Sequence, residues 1–71
     1  MCLAVPGKII EIKEDKAVID YDIEKRNVML LDEGYNVGDY VIVQGGFVVD
    51  KVEEKEAKNA LELYKNALNS D

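Results

Sequence analysis

Every glycine in this chain (Gly7, Gly34, Gly38, Gly45 and Gly46) and its one proline, Pro6, lie before Val52. Glycine and proline are the strongest punctuators of regular structure, so the first part of the chain is not expected to be one long element. Between these breaks run short stretches of Val, Ile, Leu, Tyr and Phe, the residues that suit a pleated surface. After Val52 the chain turns to Glu, Lys, Ala, Asn and Leu, which favour helix. The division predicts a strand-rich body followed by a single helix.

Five strands are expected in the body. In Lys8 to Lys13, Ile10 and Ile12 share the inward face and Ile9 faces out. Glu14-Asp15-Lys16 is a polar turn. In Ala17 to Asp22, Ala17, Ile19 and Tyr21 share a face. Arg26 to Leu31 forms the third strand, and Asp32 to Gly38 is a loop. Asp39 to Gln44 and Phe47 to Val52 are separated by Gly45-Gly46, which suggests a tight turn, a bulge or close approach by another backbone. A flat sheet of this size would leave two raw edges and an uncovered apolar face, whereas a closed barrel leaves neither. The expected fold is mainly β, a small five-stranded antiparallel barrel with one C-terminal α-helix. In the helix, expected over 53–69, Ala57, Ala60, Leu61, Tyr64, Ala67 and Leu68 recur at the spacing of one face. That stripe is expected to pack on the barrel; the alternative is that part of it receives a partner helix. Residues 1–71 read as a single domain: an apolar arm (1–7), the barrel (8–52) and the helix (53–69).

Charge and composition exclude several functions. Fifteen acids against nine bases give a net charge of −6, the wrong sign for a phosphate-backbone binder. The chain has no histidine, so it lacks the usual general base and the commonest metal ligand. No apolar run approaches the ~20 residues of a membrane helix, and no basic stretch leads into a long apolar one as in a secretory signal. A single cysteine cannot form an internal disulfide. Together these imply a cytoplasmic setting with no membrane association. The acidic run Glu53-Glu54-Lys55-Glu56 reads as a solvated helix start. Asp20, Asp22 and Glu24 read as the wet side of a sheet, the alternative being a cation site.

Met1-Cys2-Leu3-Ala4-Val5-Pro6-Gly7 does not read as ordinary scaffold, because chain ends normally carry polar, frayed residues. Pro6 forces Val5 toward extended conformations, so the segment is a semi-stiff apolar arm ending in a Pro6-Gly7 turn. Removal of Met1, which a small second residue permits, would make Cys2 the N-terminus. The neighbouring α-ammonium would then favour the thiolate, the form that binds metals. One thiol cannot complete a tetrahedral site, so any metal on Cys2 has to be shared with another molecule. The plainer reading makes Cys2 a small hydrophobe tucked under the barrel.

The stretch from Met1 to Ile9 resembles the opening signature of the HypC/HupF/HybG family of nickel–iron hydrogenase maturation chaperones. Gly38-Asp39-Tyr40-Val41-Ile42-Val43-Gln44-Gly45-Gly46-Phe47 is similar to that family's central block. The resemblance covers essentially the whole chain. It implies an OB-like barrel with a C-terminal helix and no enzymatic activity. It also implies binding to a HypD-like scaffold protein and to the hydrogenase large-subunit precursor, with contact to a HypE-like protein through the scaffold complex. It implies iron as a transient cargo, an Fe(CN)2CO unit held only in complex with a partner, with Cys2 as the shared ligand. Leu3, Ala4, Val5 and Pro6, with Gln44, Gly46 and Phe47 of the second block, are the implied partner-binding residues. Gln44 stands where the family block carries histidine. Glutamine neither titrates nor binds iron well, so a histidine role does not carry over.

Three other functions compete. A family paralogue could serve another metallocofactor, which the Gln44 departure favours. An OB-type single-strand nucleic-acid module would need a basic groove interleaved with aromatics, against the surplus of acids. A cysteine-dependent enzyme would need a base beside its nucleophile, and the chain has no histidine to provide one.

Overall fold

The computed structural model of the chain describes residues 5–69. Strands β1 (Gly7–Lys13), β2 (Lys16–Asp20), β3 (Lys25–Leu30), β4 (Tyr40–Gln44) and β5 (Phe47–Val52) precede helix α1 (Glu54–Asn69). The strands close into a barrel in the order β1-β2-β3-β5-β4, with α1 as its C-terminal helix, as the composition implied. No helix among the described residues is long and apolar enough to cross a membrane.

Four neighbouring pairs are antiparallel. The fifth, β3 with β5, is parallel, pairing Met29 with Phe47 and Leu30 with Val48. A ring of five strands cannot alternate direction all the way round, so one seam has to be parallel. Met29 N–H donates to the Gly46 carbonyl at 2.9 Å beside that seam.

Ile9, Ala17, Ile19, Val28, Val41 and Val48 fill the barrel. Ile9 is fully buried, while Ile10 is 37% exposed, the reverse of the phase expected from simple alternation. The cause is a bulge: Ile9 pairs with Ile19 but Glu11 pairs with Val18, leaving Ile10 as the extra residue. A bulge resets the two-residue period, so Ile9 is buried and Ile12 also packs against the core. A second shift, between Ile42–Asp50 and Val43–Val48, leaves Val49 over and exposed in the same way.

The turn after β2 also corrects the expected strand. Asp20 Oδ1 accepts from Asp22 N–H at 2.8 Å, and Tyr21 N–H donates to the Glu24 carbonyl at 2.8 Å. Asp22 adopts a φ of 75°, a left-handed conformation that Asp tolerates and a strand does not. Pairing therefore ends at Asp20.

Gly7 forms no turn with Pro6. It is buried as the first residue of β1. A side chain there would collide with Ile19 and come within 2.8 Å of Tyr21 Cε1. The glycine is required by close packing, not by an unusual φ.

Glu53 caps α1. Its carbonyl accepts the first helical bond, from Ala57 N–H at 2.9 Å, and its Oε1 accepts from Glu56 N–H at 3.1 Å, satisfying one of the amides that a helix start otherwise leaves unpaired. Ala57 and Leu61 bury against Tyr40, with Val5, Tyr21 and Val52 packed around them. Ala60 and Tyr64 are half-buried and Ala67 is exposed, so burial along the stripe is deepest in its first half; the Leu68 side chain lies outside the described residues. Sixteen residues make a helix of about 24 Å.

Candidate functional site

Val5 is the first described residue of the N-terminal segment. It is wedged against the cluster of Tyr40, Ala57 and Leu61. Pro6, expected to belong to a partner-facing arm, is instead buried, as is Gly7. The segment is thus anchored to the barrel from Val5 onward. Cys2, Leu3 and Ala4 lie outside the described residues.

Beside this anchor opens a cleft of about 400 Å³. Val5, the turn between β2 and β3 (Tyr21, Glu24), the first part of β3 (Arg26), the hairpin of β4 and β5 (Val43, Gly45, Gly46) and α1 (Tyr64) meet there. Asn27 and Val28 of β3 complete the lining. The hairpin turn has φ of 61° at Gly45 and 86° at Gly46, positive at both central residues as a type I′ turn demands. A Cβ at either glycine would meet nothing within 4 Å. The turn therefore presents bare backbone to anything entering the cleft.

Of the residues expected to meet a partner, the structure brings Val5 and Gly46 into this cleft. Gln44 and Phe47 pair with each other across the hairpin and are exposed, Phe47 by 39%, but neither lines the cleft. They flank its glycine wall instead.

Tyr21, Arg26 and Tyr64 were not expected at a site. Tyr21 packs against both apolar clusters. Burial pushes its hydroxyl above the usual 10.0, the Arg26 guanidinium pulls it back, and Glu24 and Tyr64 push it further up. The net direction is upward, so the cleft holds a neutral phenol at ordinary pH. Arg26 Nε lies 3.3 Å from Glu24 Oε2, with both side chains largely exposed. Lys65 Nζ of α1 reaches Asp22 Oδ2 at 3.4 Å, tying the helix to the β2–β3 turn. No local sequence pattern links residues 21, 26 and 64; barrel closure and helix docking bring them together.

The two acidic groups are accounted for locally. Asp20 holds the turn amide, Asp22 pairs with Lys65 and Glu24 with Arg26. At the start of α1, Lys58 lies 2.8 Å from Glu54 and holds that carboxyl below its usual range by hydrogen bonding and charge. Among the described residues no three Cys, Asp or Glu side chains converge to hold a metal ion. The cleft thus combines apolar side chains (Val5, Val28, Val43) with the Tyr21 and Tyr64 phenols, Asn27, the Arg26–Glu24 pair and an accessible glycine backbone. That arrangement suits an extended peptide or a partner's apolar side chain.

The chain has relatives among known proteins. Residues 1–64 match the HupF/HypC family. The chain is 41% identical over 73 residues to the hydrogenase maturation factor HypC of Helicobacter hepaticus, covering 99% of this chain and 85% of that protein. It is 41% identical over 66 residues to the HypC of Azotobacter chroococcum mcd 1, covering 89% and 77%. It is 33% identical over 73 residues to that of Escherichia coli K12, covering 93% and 81%. The match runs through the anchored segment, the barrel, the glycine hairpin and most of the helix, and the chain belongs to the HupF/HypC family.

Proposed function

We propose that this protein is a hydrogenase maturation chaperone that binds a HypD-like scaffold and the hydrogenase large-subunit precursor and carries an Fe(CN)2CO unit between them through Cys2. The observation that carries this reading is the position of the cleft, whose wall includes Val5, the point where the N-terminal segment meets the barrel. Cys2 is three residues from Val5, a span of at most about 11 Å. That span is short enough for one partner to engage Cys2 and the cleft together, with the cleft supplying the apolar contact that a metal–thiolate bond lacks.

The chemistry is ligand exchange without redox change. The Cys2 thiol gives its proton to solvent, and the thiolate donates an electron pair to iron that the scaffold also holds. On transfer the iron–sulfur bond to Cys2 breaks as a ligand of the precursor replaces it. A carrier with one donor releases such a cargo readily, whereas a closed four-ligand site would retain it. The lone thiol stays reduced in the cytoplasm, where this exchange is placed.

The test is co-expression of the chain with a HypD-like scaffold, followed by iron analysis and infrared spectroscopy of the cyanide and carbonyl bands in the purified complex. The wild-type complex should carry both, and Cys2→Ala should lose both. Unchanged iron and band intensity in that variant refutes the carrier role. A chain lacking residues 1–4 keeps the half-buried Val5 and the buried Pro6 and should remain folded, yet should no longer co-purify with the scaffold. Retained co-purification overturns the docking role of the segment. Bands absent even from the wild-type complex would favour a paralogue serving another metallocofactor.

A further inference from the structure

A second cleft, of about 370 Å³, lies at the far end of β1, about 20 Å along the barrel from Val5 at the strand rise of about 3.3 Å per residue. Ile12, Leu30, Leu31 and Tyr35 form its apolar surface. Leu31 is 63% exposed. Isolated exposed leucines are ordinary, but this one borders a concavity with three further apolar neighbours. Glu14, Asp15, Asp32 and Glu33 stand around it, and no lysine or arginine lines it.

The four carboxylates are unpaired. Among the described residues none of their side chains accepts a hydrogen bond or forms an ion pair. The walls, by contrast, are fixed. Leu30 N–H donates to the Asp15 carbonyl at 2.7 Å, joining the β1–β2 turn to the end of β3. Lys51 Nζ donates to the Gly34 carbonyl at 3.1 Å and lies 5.7 Å from the centre of the Tyr35 ring. Its charge is already matched by Asp39 at 3.2 Å, so it does not neutralise the acidic rim.

We propose that this cleft docks a cationic segment of a partner protein, one apolar side chain entering beside Leu30, Leu31 and Tyr35 while flanking lysines or arginines face the four carboxylates. The inference is independent of the Cys2 reading. Charge selects the occupant. A second copy of the chain carries the same net charge of −6 and would be repelled, as would nucleic acid or an anionic membrane. A bare metal ion is disfavoured because no three of the acidic groups converge on one point. A cationic peptide with an apolar anchor satisfies both halves of the surface, and opposite charge accelerates its encounter.

The test uses the full-length chain labelled with ¹⁵N and a synthetic amidated 12-residue peptide of lysine and leucine. Two control peptides replace lysine by glutamate or leucine by alanine. Amide shifts should concentrate at residues 14–15 and 30–35. The glutamate peptide should not bind, and the alanine peptide should bind roughly tenfold more weakly. Asp32→Asn combined with Glu33→Gln, and separately Leu31→Ser, should each weaken the lysine–leucine peptide roughly fivefold to tenfold with unchanged thermal unfolding. Affinity should fall as salt rises. Shifts spread over the acidic start of α1, equal binding of the alanine peptide, or unchanged affinity in the Asp32/Glu33 variant would each overturn the proposal.

Discussion

Replacing Gly7 by alanine tests the packing of the barrel mouth, because two physical arguments give opposite signs. Local preference favours alanine: glycine within a strand costs about 0.5–1 kcal/mol relative to alanine. The tertiary structure opposes it. The added methyl would overlap Ile19 and approach Tyr21 Cε1 to 2.8 Å. Ile19 is fully buried, and as a β-branched side chain it has few rotamers to move into. Overpacking of this kind costs about 1–3 kcal/mol. The central expectation is a net loss of about 1 kcal/mol once the gain in strand preference is subtracted. For a domain of this size that lowers Tm by about 4–8 °C. Differential scanning calorimetry at neutral pH measures it directly. The loss should shrink in an Ile19→Ala background, where the colliding methyl is gone, and a double-mutant cycle should return a coupling of about 1 kcal/mol. A Gly7→Ala protein as stable as wild type, or more stable, refutes the close-approach explanation.

Gly46→Ala meets no neighbour but holds a φ of 86°, so backbone strain alone should cost about 1 kcal/mol, read as a lower urea midpoint with unchanged m-value. Leu61→Ala removes the largest helix side chain from the cluster with Tyr40 and Ala57 and should cost about 2–3 kcal/mol; hydrogen exchange should show α1 amides losing protection before those of the barrel. The Tyr21 hydroxyl is raised above 10.0 chiefly by burial. The unfolded chain therefore ionises first as pH rises, so stability is full below pH 10 and falls as pH climbs from there through the folded-state value. Tyr21→Phe should flatten that alkaline decline in thermal melts between pH 9 and 11, and an unaltered decline would show that Tyr21 does not cause it.

Where the chain changes character, how many strands precede the helix, and that a break falls at Gly45-Gly46 are all legible from residue order alone; that the break is a hairpin turn and not a bulge or a close approach is a finding of the structure. The legible features follow from local chemistry: glycine and proline break elements, alternation marks strands, and 3.6-residue spacing marks the helix. The opening and central motifs were also legible, because they are contiguous along the chain. That Ile9 rather than Ile10 is buried follows from packing between strands. A bulge is a relation between two strands, and β1 alone carries no sign of it. The parallel β3–β5 seam, too, arises from closing an odd ring and cannot be read from any one strand. Gly7 is required by Ile19 and Tyr21, which neighbour it in space and not in sequence. Tyr21, Arg26 and Tyr64 share a cleft with Val5 for the same reason: convergence of distant residues is a property of barrel closure and helix docking, to which local periodicity is blind.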